Sequence, residues 1–193
     1  MQRILITGAN RGLGLEFTRQ YLERGAHVFA CARDPQQADA LHALAGQYPD
    51  RLTGVALDVS DIASITAAAA AVADQTDALD TIINNAGMNI PGEEQRVGNI
   101  DPERMLQVLR VNSVGPLLVA QAFRALLARG ETPRLVNITS GLGSIGRDDS
   151  GQVIYSASKA ALNMVTQRLS KDSAFNGVIV MVLDPGWVKT DMG

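Results

Sequence analysis

A tyrosine and a lysine one helical turn apart are the residues of this sequence best suited to chemistry. Tyr155 and Lys159 lie in the stretch VIYSASKA at 153–160, which is predicted to be helical. Residues i and i+4 share one face of a helix, so both side chains should point to the same side. A phenol has a pKa of about 10, and a neighbouring ammonium lowers it by favouring the phenolate. We therefore expect a general acid or base that exchanges a proton with a carbonyl or alcohol oxygen.

A glycine-rich turn near the start of the chain is a second candidate site. The strand-like run RILIT is followed by GANRGLGLEF, which places Gly8, Gly12 and Gly14 where the chain enters a helix. Glycines there let the backbone approach a pyrophosphate, and the helix N-terminus offers free N–H groups to it. The alternative is an ordinary tight strand-to-helix turn. Because the turn opens a predicted βαβ unit, we favour a dinucleotide site.

The end of the second predicted strand, ACARDP at 30–35, should select the dinucleotide. A carboxylate at this point binds the ribose 2′-hydroxyl of NAD, whereas an arginine accommodates the 2′-phosphate of NADP. Arg33 follows the strand, and Arg11 could add a second positive charge, so we predict NADP(H), with NADPH in the reductive direction. Two alternatives remain: Arg33 is a solvated residue paired with Asp34, or Asp34 is itself the ribose carboxylate.

The rest of the chain predicts the scaffold that positions these residues. Strands are predicted at Arg3–Thr7, Val28–Ala32, Leu52–Leu57, Thr81–Asn84, Leu135–Ile138 and Val178–Leu183. Helices are predicted between them at 12–24, 36–46, 61–75, 101–111, 114–129 and 155–172. Such alternation is typical of an α/β, doubly wound parallel sheet whose apolar strands are buried on both faces. No linker or internal boundary interrupts residues 1–193, which we predict to form a single dinucleotide-binding domain carrying the catalytic residues.

Composition narrows the classes of partner. Seventeen basic and twenty acidic residues give a net charge of −3, so we expect neither nucleic-acid nor membrane binding. The apolar run at the start is too short for a signal peptide, and cytoplasmic residence is the expectation. The lone cysteine, Cys31, lies in the apolar run HVFACA and should be a buried thiol. His27 and His42 belong to no cluster of ligands, so we predict no metal site.

Seven short motifs occur in the order typical of one family. They are TGANRGLG at 7–14, DV at 58–59, NNAG at 84–87, VNSVG at 111–115, NITS at 137–140, YSASK at 155–159 and PGWVKT at 185–190. With them, essentially the whole chain resembles the short-chain dehydrogenase/reductase family, above all its carbonyl-reductase group with sniffer-type and C-factor-like members. The resemblance implies a Rossmann-type sheet in the order 3-2-1-4-5-6.

The resemblance also implies catalytic roles for four residues. Ser140 matches the serine that hydrogen-bonds the substrate oxygen, and Tyr155 matches the proton donor or acceptor. Lys159 matches the residue that tunes the tyrosine and holds the nicotinamide ribose. Asn112 matches the helix residue that completes a proton relay to the lysine through an ordered water. Taken singly, Ser140 could be a turn residue and Asn112 a helix cap.

Further matches imply contacts with the cofactor. Those implied by the resemblance, together with the residues of the glycine turn and Arg33, are Gly8, Asn10, Arg11, Gly12, Leu13, Gly14, Arg33, Asp58, Val59, Asn85, Ala86, Gly87, Tyr155, Lys159, Pro185, Gly186, Val188 and Thr190. Asp58 would bond the adenine amino group, although it could equally cap the following helix. The segment from Pro185 to Thr190 would hold the nicotinamide carboxamide and the phosphates.

The sequence departs from the family pattern in two places. Ser140 and Tyr155 are fifteen positions apart, slightly more than is commonest, and the extra residues fall in GRDDSG. Arg147, Asp148 and Asp149 there are either solvated charges, which we favour, or determinants of substrate choice. The chain also stops at Gly193, where the family continues into a last strand and a C-terminal substrate region that are missing here. We expect that the natural protein has residues beyond this point; the alternative is a natural or engineered short form.

Together these features predict an NADPH-dependent oxidoreductase that reduces a ketone or aldehyde, with Tyr155 as the proton donor. Two alternatives are a cofactor-binding regulatory or signalling protein with little turnover, and an NAD-dependent alcohol dehydrogenase. The expected partner is a small carbonyl or alcohol substrate. The family often forms a homodimer or homotetramer through the helices around 101–129 and 155–172, although related carbonyl reductases can be monomers.

Overall fold

The fold is a parallel sheet covered on both faces by helices. The computed structural model describes residues 1–146 and 152–188. The strands are Arg3–Thr7 (β1), His27–Ala32 (β2), Leu52–Ala56 (β3), Thr81–Asn84 (β4), Arg134–Ile138 (β5) and Ile179–Leu183 (β6). The α-helices are Gly12–Glu23 (α1), Asp39–Gln47 (α2), Ile62–Ala73 (α3), Pro102–Leu109 (α4), Gly115–Leu127 (α5) and Val153–Leu169 (α6).

The six strands are all parallel and lie in the order β3-β2-β1-β4-β5-β6. The predicted fold class and strand order are confirmed. The chain runs outward from β1 to β3 and then crosses back to place β4 on the other side of β1. The connections after β1 and β4 therefore diverge, and a crevice opens at the carboxyl ends of these two strands.

The element boundaries lie within three residues of the predicted ones, and two of the differences have local causes. Helix α2 begins at Asp39 rather than at 36, because Pro35–Gln37 form a short 3₁₀ turn. The Asp34 carboxylate accepts hydrogen bonds from the Gln36 and Gln37 amides and so stabilises that turn. Helices α4 and α5 are joined without a break by a π-helical turn at Arg110–Val114.

Alternate side chains of the central strands pack into two separate cores. Ile4 and Ile6 of β1 belong to the core beneath α1 and α2, whereas Leu5 belongs to the core beneath α3, α5 and α6. Phe29 and Cys31 of β2 lie in the second core. Cys31 is fully buried, and burial raises the pKa of its thiol. The expected buried, unreactive cysteine is therefore observed.

Strand β6 departs from the expectation that every strand is buried on both faces. It pairs with β5, and its residues Ile179, Val182 and Leu183 are 44%, 42% and 39% exposed. Its sequence is as apolar as that of the central strands, so hydrophobicity alone did not distinguish this outer strand from them.

The buried carboxylate of Asp80, which precedes β4, is hydrogen-bonded to the start of β1 and to the segment before β5. Asp80, only 2% exposed, accepts hydrogen bonds from the Arg3 backbone amide and guanidinium and from the Glu131 amide. Burial alone would raise the pKa of Asp80, but the bonds from Arg3 and Glu131 outweigh it, so the pKa lies below its usual value. The stabilisation from this lowered pKa is present above the unfolded-state pKa of about 4 and is lost as the pH falls through the folded-state pKa.

We expect Asp80→Asn to lower the free energy of unfolding by about 2–3 kcal/mol at pH 7. This is less than the loss for a fully buried pair, because solvent reaches the Arg3 side chain. Urea denaturation measures the change, and the difference from the wild type should shrink below about pH 4. Asp50→Asn, at an exposed position, is the control and should change little. Equal stability of the Asp80 variant and the wild type at pH 7 would contradict this assignment.

Candidate active site

The predicted site residues gather at the carboxyl ends of the strands. The glycine turn follows β1, Asn85–Gly87 follow β4, and Ser140 follows β5. The first turn of α6 carries Tyr155 into the same region. This is the end of a doubly wound sheet at which ligands bind.

The glycine turn is held tightly against the segment after β4. Gly8 and Gly12 adopt φ angles of +66° and +54°, a left-handed conformation that favours glycine. A Cβ on Gly8 would lie 2.9 Å from the Ala86 Cα atom, and one on Gly14 would lie 2.2 Å from the Gly8 carbonyl oxygen. The turn therefore has no room for side chains at Gly8 and Gly14, as a close backbone approach to a phosphate requires.

Hydrogen bonds fix the relative position of these two segments. The Thr7 hydroxyl accepts from the Asn85 and Ala86 amides at 3.1 and 3.0 Å. The Asn85 side chain donates to the Thr7 and Gly8 carbonyl oxygens at 2.9 and 3.2 Å. Helix α1 begins at Gly12 with no acidic residue in its first turn, so no carboxylate there competes with an anionic ligand for its N–H groups.

Arg33 lies exposed after β2, and its charge acts on Asp58 after β3. Burial raises the pKa of Asp58, but hydrogen bonds from Ser60 and the charges of Arg33 and Arg110 outweigh it and lower the pKa overall. The Asp34 carboxylate is bonded to the 3₁₀ turn that follows it. The Asp34 carboxylate is therefore engaged in this turn, whereas Arg33 is exposed.

Asp58 does not cap the following helix, which was one of its two expected roles. Its Oδ1 atom accepts from the Ser60 amide at 2.8 Å and from the Ser60 hydroxyl at 2.7 Å. Asp61 is the N-cap of α3 and accepts from the Ala63 amide at 3.0 Å. These hydrogen bonds stabilise the turn after β3 that contains Asp58 and the buried Val59.

Ser140, Tyr155 and Lys159 come together beside the crevice. The Ser140 hydroxyl lies close enough to the Tyr155 phenol to lower its pKa, and it accepts from the Leu142 amide at 3.3 Å. The Lys159 Nζ atom lies 5.6 Å from the centre of the Tyr155 ring and donates to the Ile138 carbonyl oxygen at 2.9 Å. Lys159 is only 5% exposed, whereas Tyr155 is half-buried. The two side chains face the same side of α6, as their spacing predicts.

The expected lowering of the tyrosine pKa is wrong for this structure. Burial raises the pKa of Tyr155, and the negative charge of Asp184 raises it further, whereas the nearby Ser140 hydroxyl lowers it less. Burial also lowers the pKa of Lys159 to about 8. The phenol therefore keeps its proton at neutral pH, which is the state that a proton donor needs.

The Asn112 side chain is fully engaged in holding the structure together. It is buried in the π-helical turn, where its Oδ1 accepts from the Met88 amide at 2.8 Å. Its Nδ2 donates to the Met88 carbonyl at 2.8 Å and to the Ser158 hydroxyl at 3.0 Å. Asn112 therefore connects the segment after β4 to α6.

The segment after β6 is only partly described. Asp184 accepts from the Gly186 amide at 3.0 Å, and Gly186 has a φ angle of +69°. Pro185 and Val188 lie in the described part, but Thr190 lies outside the described residues. Arg147, Asp148 and Asp149, the charged residues before α6, also lie outside them.

Sequence reasoning missed two residues near Tyr155. Gln95 is a fully buried side chain that bonds to the Tyr155 amide, and Asp184 acts on the phenol through its charge. Gln95 belongs to no motif, and only its burial reveals it. Asp184 gave one signal, because it directly precedes the PGW stretch.

The described part of the chain contains neither a candidate membrane-spanning helix nor a candidate metal-binding cluster. Within 1–146 and 152–188, no helix is long and apolar enough to span a bilayer. In the same ranges, no group of three or more His, Cys, Asp or Glu residues is placed to hold a metal ion.

Comparison with known proteins agrees with the geometry. A family model described as short chain dehydrogenase matches residues 2–193. The NADPH-bound carbonyl reductase from chicken fatty liver is 38% identical, with a TM-score of 0.91, over 100% of this chain and 82% of that one. Carbonyl reductase Sniffer of D. melanogaster is 32% identical, with a TM-score of 0.90, over 100% of this chain and 83% of that one.

The chain is also similar to a protein that is not named as a carbonyl reductase. The C-signal of Myxococcus xanthus is 39% identical over 119 residues, which are 61% of this chain and 70% of that protein. The family match extends over nearly the whole sequence, and the sheet order and crevice agree with it. The chain belongs to the short-chain dehydrogenase family of oxidoreductases.

Proposed function

We propose that the protein is an NADPH-dependent carbonyl reductase that converts a ketone or aldehyde into an alcohol. The observation that carries the proposal is the cluster of Ser140, Tyr155 and Lys159 beside the glycine-lined crevice. The NADPH-bound state of the chicken relative supports the choice of cofactor. Arg33 supports it independently, because a guanidinium matches the geometry of a phosphate monoester.

The residues present fit a dinucleotide. The crowded Gly8 and Gly14 positions give the backbone a surface that a pyrophosphate can approach, and the first turn of α1 supplies N–H groups. Asp58 lies on the side where an adenine would sit, and Lys159 lies beside Gly87 where the nicotinamide ribose would pass. When bound, NADPH supplies the hydride that reduces the carbonyl carbon.

The chain's own groups then act on the carbonyl oxygen. The Ser140 hydroxyl donates a hydrogen bond that orients the oxygen, and Tyr155 transfers its phenolic proton to it as the alcohol forms. The Lys159 ammonium, 5.6 Å from the ring centre, then favours the phenolate over the phenol, although burial and Asp184 keep the pKa of Tyr155 raised overall. One carbonyl, one NADPH and one proton thus give one alcohol and one NADP⁺.

The first test is NADPH oxidation with a panel of aldehydes and ketones, followed at 340 nm, with NADH compared in parallel. We expect turnover of at least one carbonyl compound and a preference for NADPH. The C-signal similarity favours a second candidate, a cofactor-binding signalling protein. Tight NADPH binding without turnover of any carbonyl compound would support that candidate instead.

We expect Arg33→Asp to raise the KM for NADPH about 10- to 100-fold and to narrow the preference over NADH. The estimate corresponds to the loss of about 1.5–3 kcal/mol of charge-assisted hydrogen bonding to the 2′-phosphate. Steady-state kinetics with both cofactors measure the change. Arg24→Asp makes the same charge reversal at an exposed position at the far end of α1 and should leave the preference unchanged. An NADPH-to-NADH ratio that is unaffected by Arg33→Asp would indicate an NAD-dependent alcohol dehydrogenase.

A further inference from the structure

Helix α6, which carries Tyr155 and Lys159, begins without a side-chain cap from the described residue that precedes it. Its N-cap residue, Gln152, has a left-handed backbone with φ of 48° and makes no side-chain capping bond. The first N–H groups of a helix lack partners within the helix, so they need another acceptor. The N–H of Tyr155, the third helical residue, is one of these groups.

Gln95 supplies the missing acceptor from sixty residues away in the sequence. Its Oε1 atom accepts from the Tyr155 amide at 2.9 Å. Its Nε2 atom donates to the Ile90 carbonyl at 2.8 Å and to the Asn89 Oδ1 at 3.0 Å. The side chain is fully buried, and both of its polar atoms are used in these bonds.

The same network holds the strained residue that begins the helix. The Asn89 side chain donates to the Gln152 Oε1 at 3.2 Å, and its Oδ1 accepts from the Ile90 amide at 2.9 Å. A small apolar core lies beside these bonds and brings together Ile90, Val108 of α4 and Ile154 of α6. The first turn of α6 is therefore fixed to the segment after β4 by polar and apolar contacts together.

We propose that Gln95 is a positioning residue that sets where Tyr155 stands relative to Lys159 and the nicotinamide site. Tyr155 lies in the first turn of α6, which can fray, whereas Lys159 lies one turn deeper and is anchored to Ile138. Gln95 belongs to the segment after β4, which begins with Asn85–Gly87. A Cβ atom added to Gly87 would lie 3.8 Å from the Lys159 Nζ atom. Gln95 thus connects Tyr155, the proposed proton donor, to the segment after β4, which also lies beside Lys159. The catalytic part of this inference rests on the proposed carbonyl reductase function.

Gln95→Met removes the hydrogen bonds with little change in shape. We expect kcat for carbonyl reduction to fall about 10- to 100-fold, because misplacing a reacting group by about 1 Å costs that much. The KM for NADPH should not change, since the glycine turn and Arg33 are untouched. Thr166→Val is the matched control, because it removes the buried bond between Thr166 and Asn137 at the other end of α6. That variant should lose stability but keep its kcat.

Gln95→Glu provides a second readout. A protonated carboxyl can donate to the Ile90 carbonyl and accept from the Tyr155 amide, although it loses the bond to Asn89, whereas a carboxylate can only accept. The kcat of this variant relative to the wild type should therefore recover as the pH is lowered. A wild-type kcat for Gln95→Met, or equal kcat losses for Gln95→Met and Thr166→Val, would overturn the proposal.

Amide hydrogen exchange at Tyr155 tests the contact without any turnover. Gln95→Met should speed exchange of this amide, and Thr166→Val should not do so selectively. Unchanged exchange in Gln95→Met would overturn the proposal even if the enzyme is active. Fast exchange together with an inactive wild type would instead support the role of Gln95 in fixing Tyr155 and reject the proposed reaction.

Discussion

Tyr155→Phe should lower kcat for carbonyl reduction by about 10²- to 10⁴-fold, the range that a positioned proton donor contributes. The variant keeps the half-buried ring and loses only the hydroxyl, which lies near Ser140. Affinity for NADPH should change little, because the glycine turn and Arg33 do not depend on that hydroxyl. Steady-state kinetics and a fluorescence titration with NADPH separate the two effects.

Tyr48→Phe is the matched control for this substitution. Tyr48 is also half-buried, but it follows α2 and lies beneath the Arg51 guanidinium, away from the crevice. Its loss of a hydroxyl should leave kcat unchanged. If Tyr155→Phe reduced carbonyl compounds as fast as the wild type, the proton would have to come from another group, and the proposed mechanism would be rejected.

Gly14→Ala should weaken NADPH binding about 10- to 100-fold. The new Cβ would lie 2.2 Å from the Gly8 carbonyl oxygen and 2.5 Å from the Asn85 side-chain nitrogen. The nearest atom belongs to the backbone, so the turn itself has to move, and overpacking of this kind costs about 1–3 kcal/mol. A loss of that size in binding corresponds to the stated change in dissociation constant.

Gly46→Ala tests whether this effect is specific to the glycine turn. Gly46 lies within α2, and a Cβ there would meet nothing within 4 Å. Alanine is the better helix former by about 1 kcal/mol, so this variant should be slightly more stable and bind NADPH normally. Normal NADPH binding by Gly14→Ala would show that the turn does not carry the phosphates.

The fold was predictable because its signals are local and repeated. Each strand before β6 is a short apolar run followed by a helix with a turn signal between them, and this pattern specifies a parallel sheet. The exposure of β6 does not follow from its composition, because Ile179–Leu183 is as apolar as the central strands. The π-helical turn at Arg110–Val114 was also missed, because it continues a helix without any change in hydrophobic pattern.

Spacing predicted two parts of the candidate site, whereas Ser140 and Asn112 were predicted from the family resemblance. Tyr155 and Lys159 share a helix face, and Gly8 and Gly14 share a turn, so sequence alone brings each pair together. The direction of the Tyr155 pKa shift depends on burial and on the charge of Asp184, and neither can be obtained from helical spacing. Gln95 was missed for a similar reason, because its partner in space is sixty positions away.

The most direct measurement of the central claim is hydride transfer itself. NADPH carrying deuterium at C4 of the nicotinamide would be incubated with the purified protein and a carbonyl compound that it turns over. The proposed function predicts an alcohol with one deuterium on the former carbonyl carbon, from one of the two C4 positions only, formed about 10²- to 10⁴-fold more slowly by Tyr155→Phe. Failure to reduce any carbonyl compound, or an alcohol without deuterium at that carbon, would contradict it.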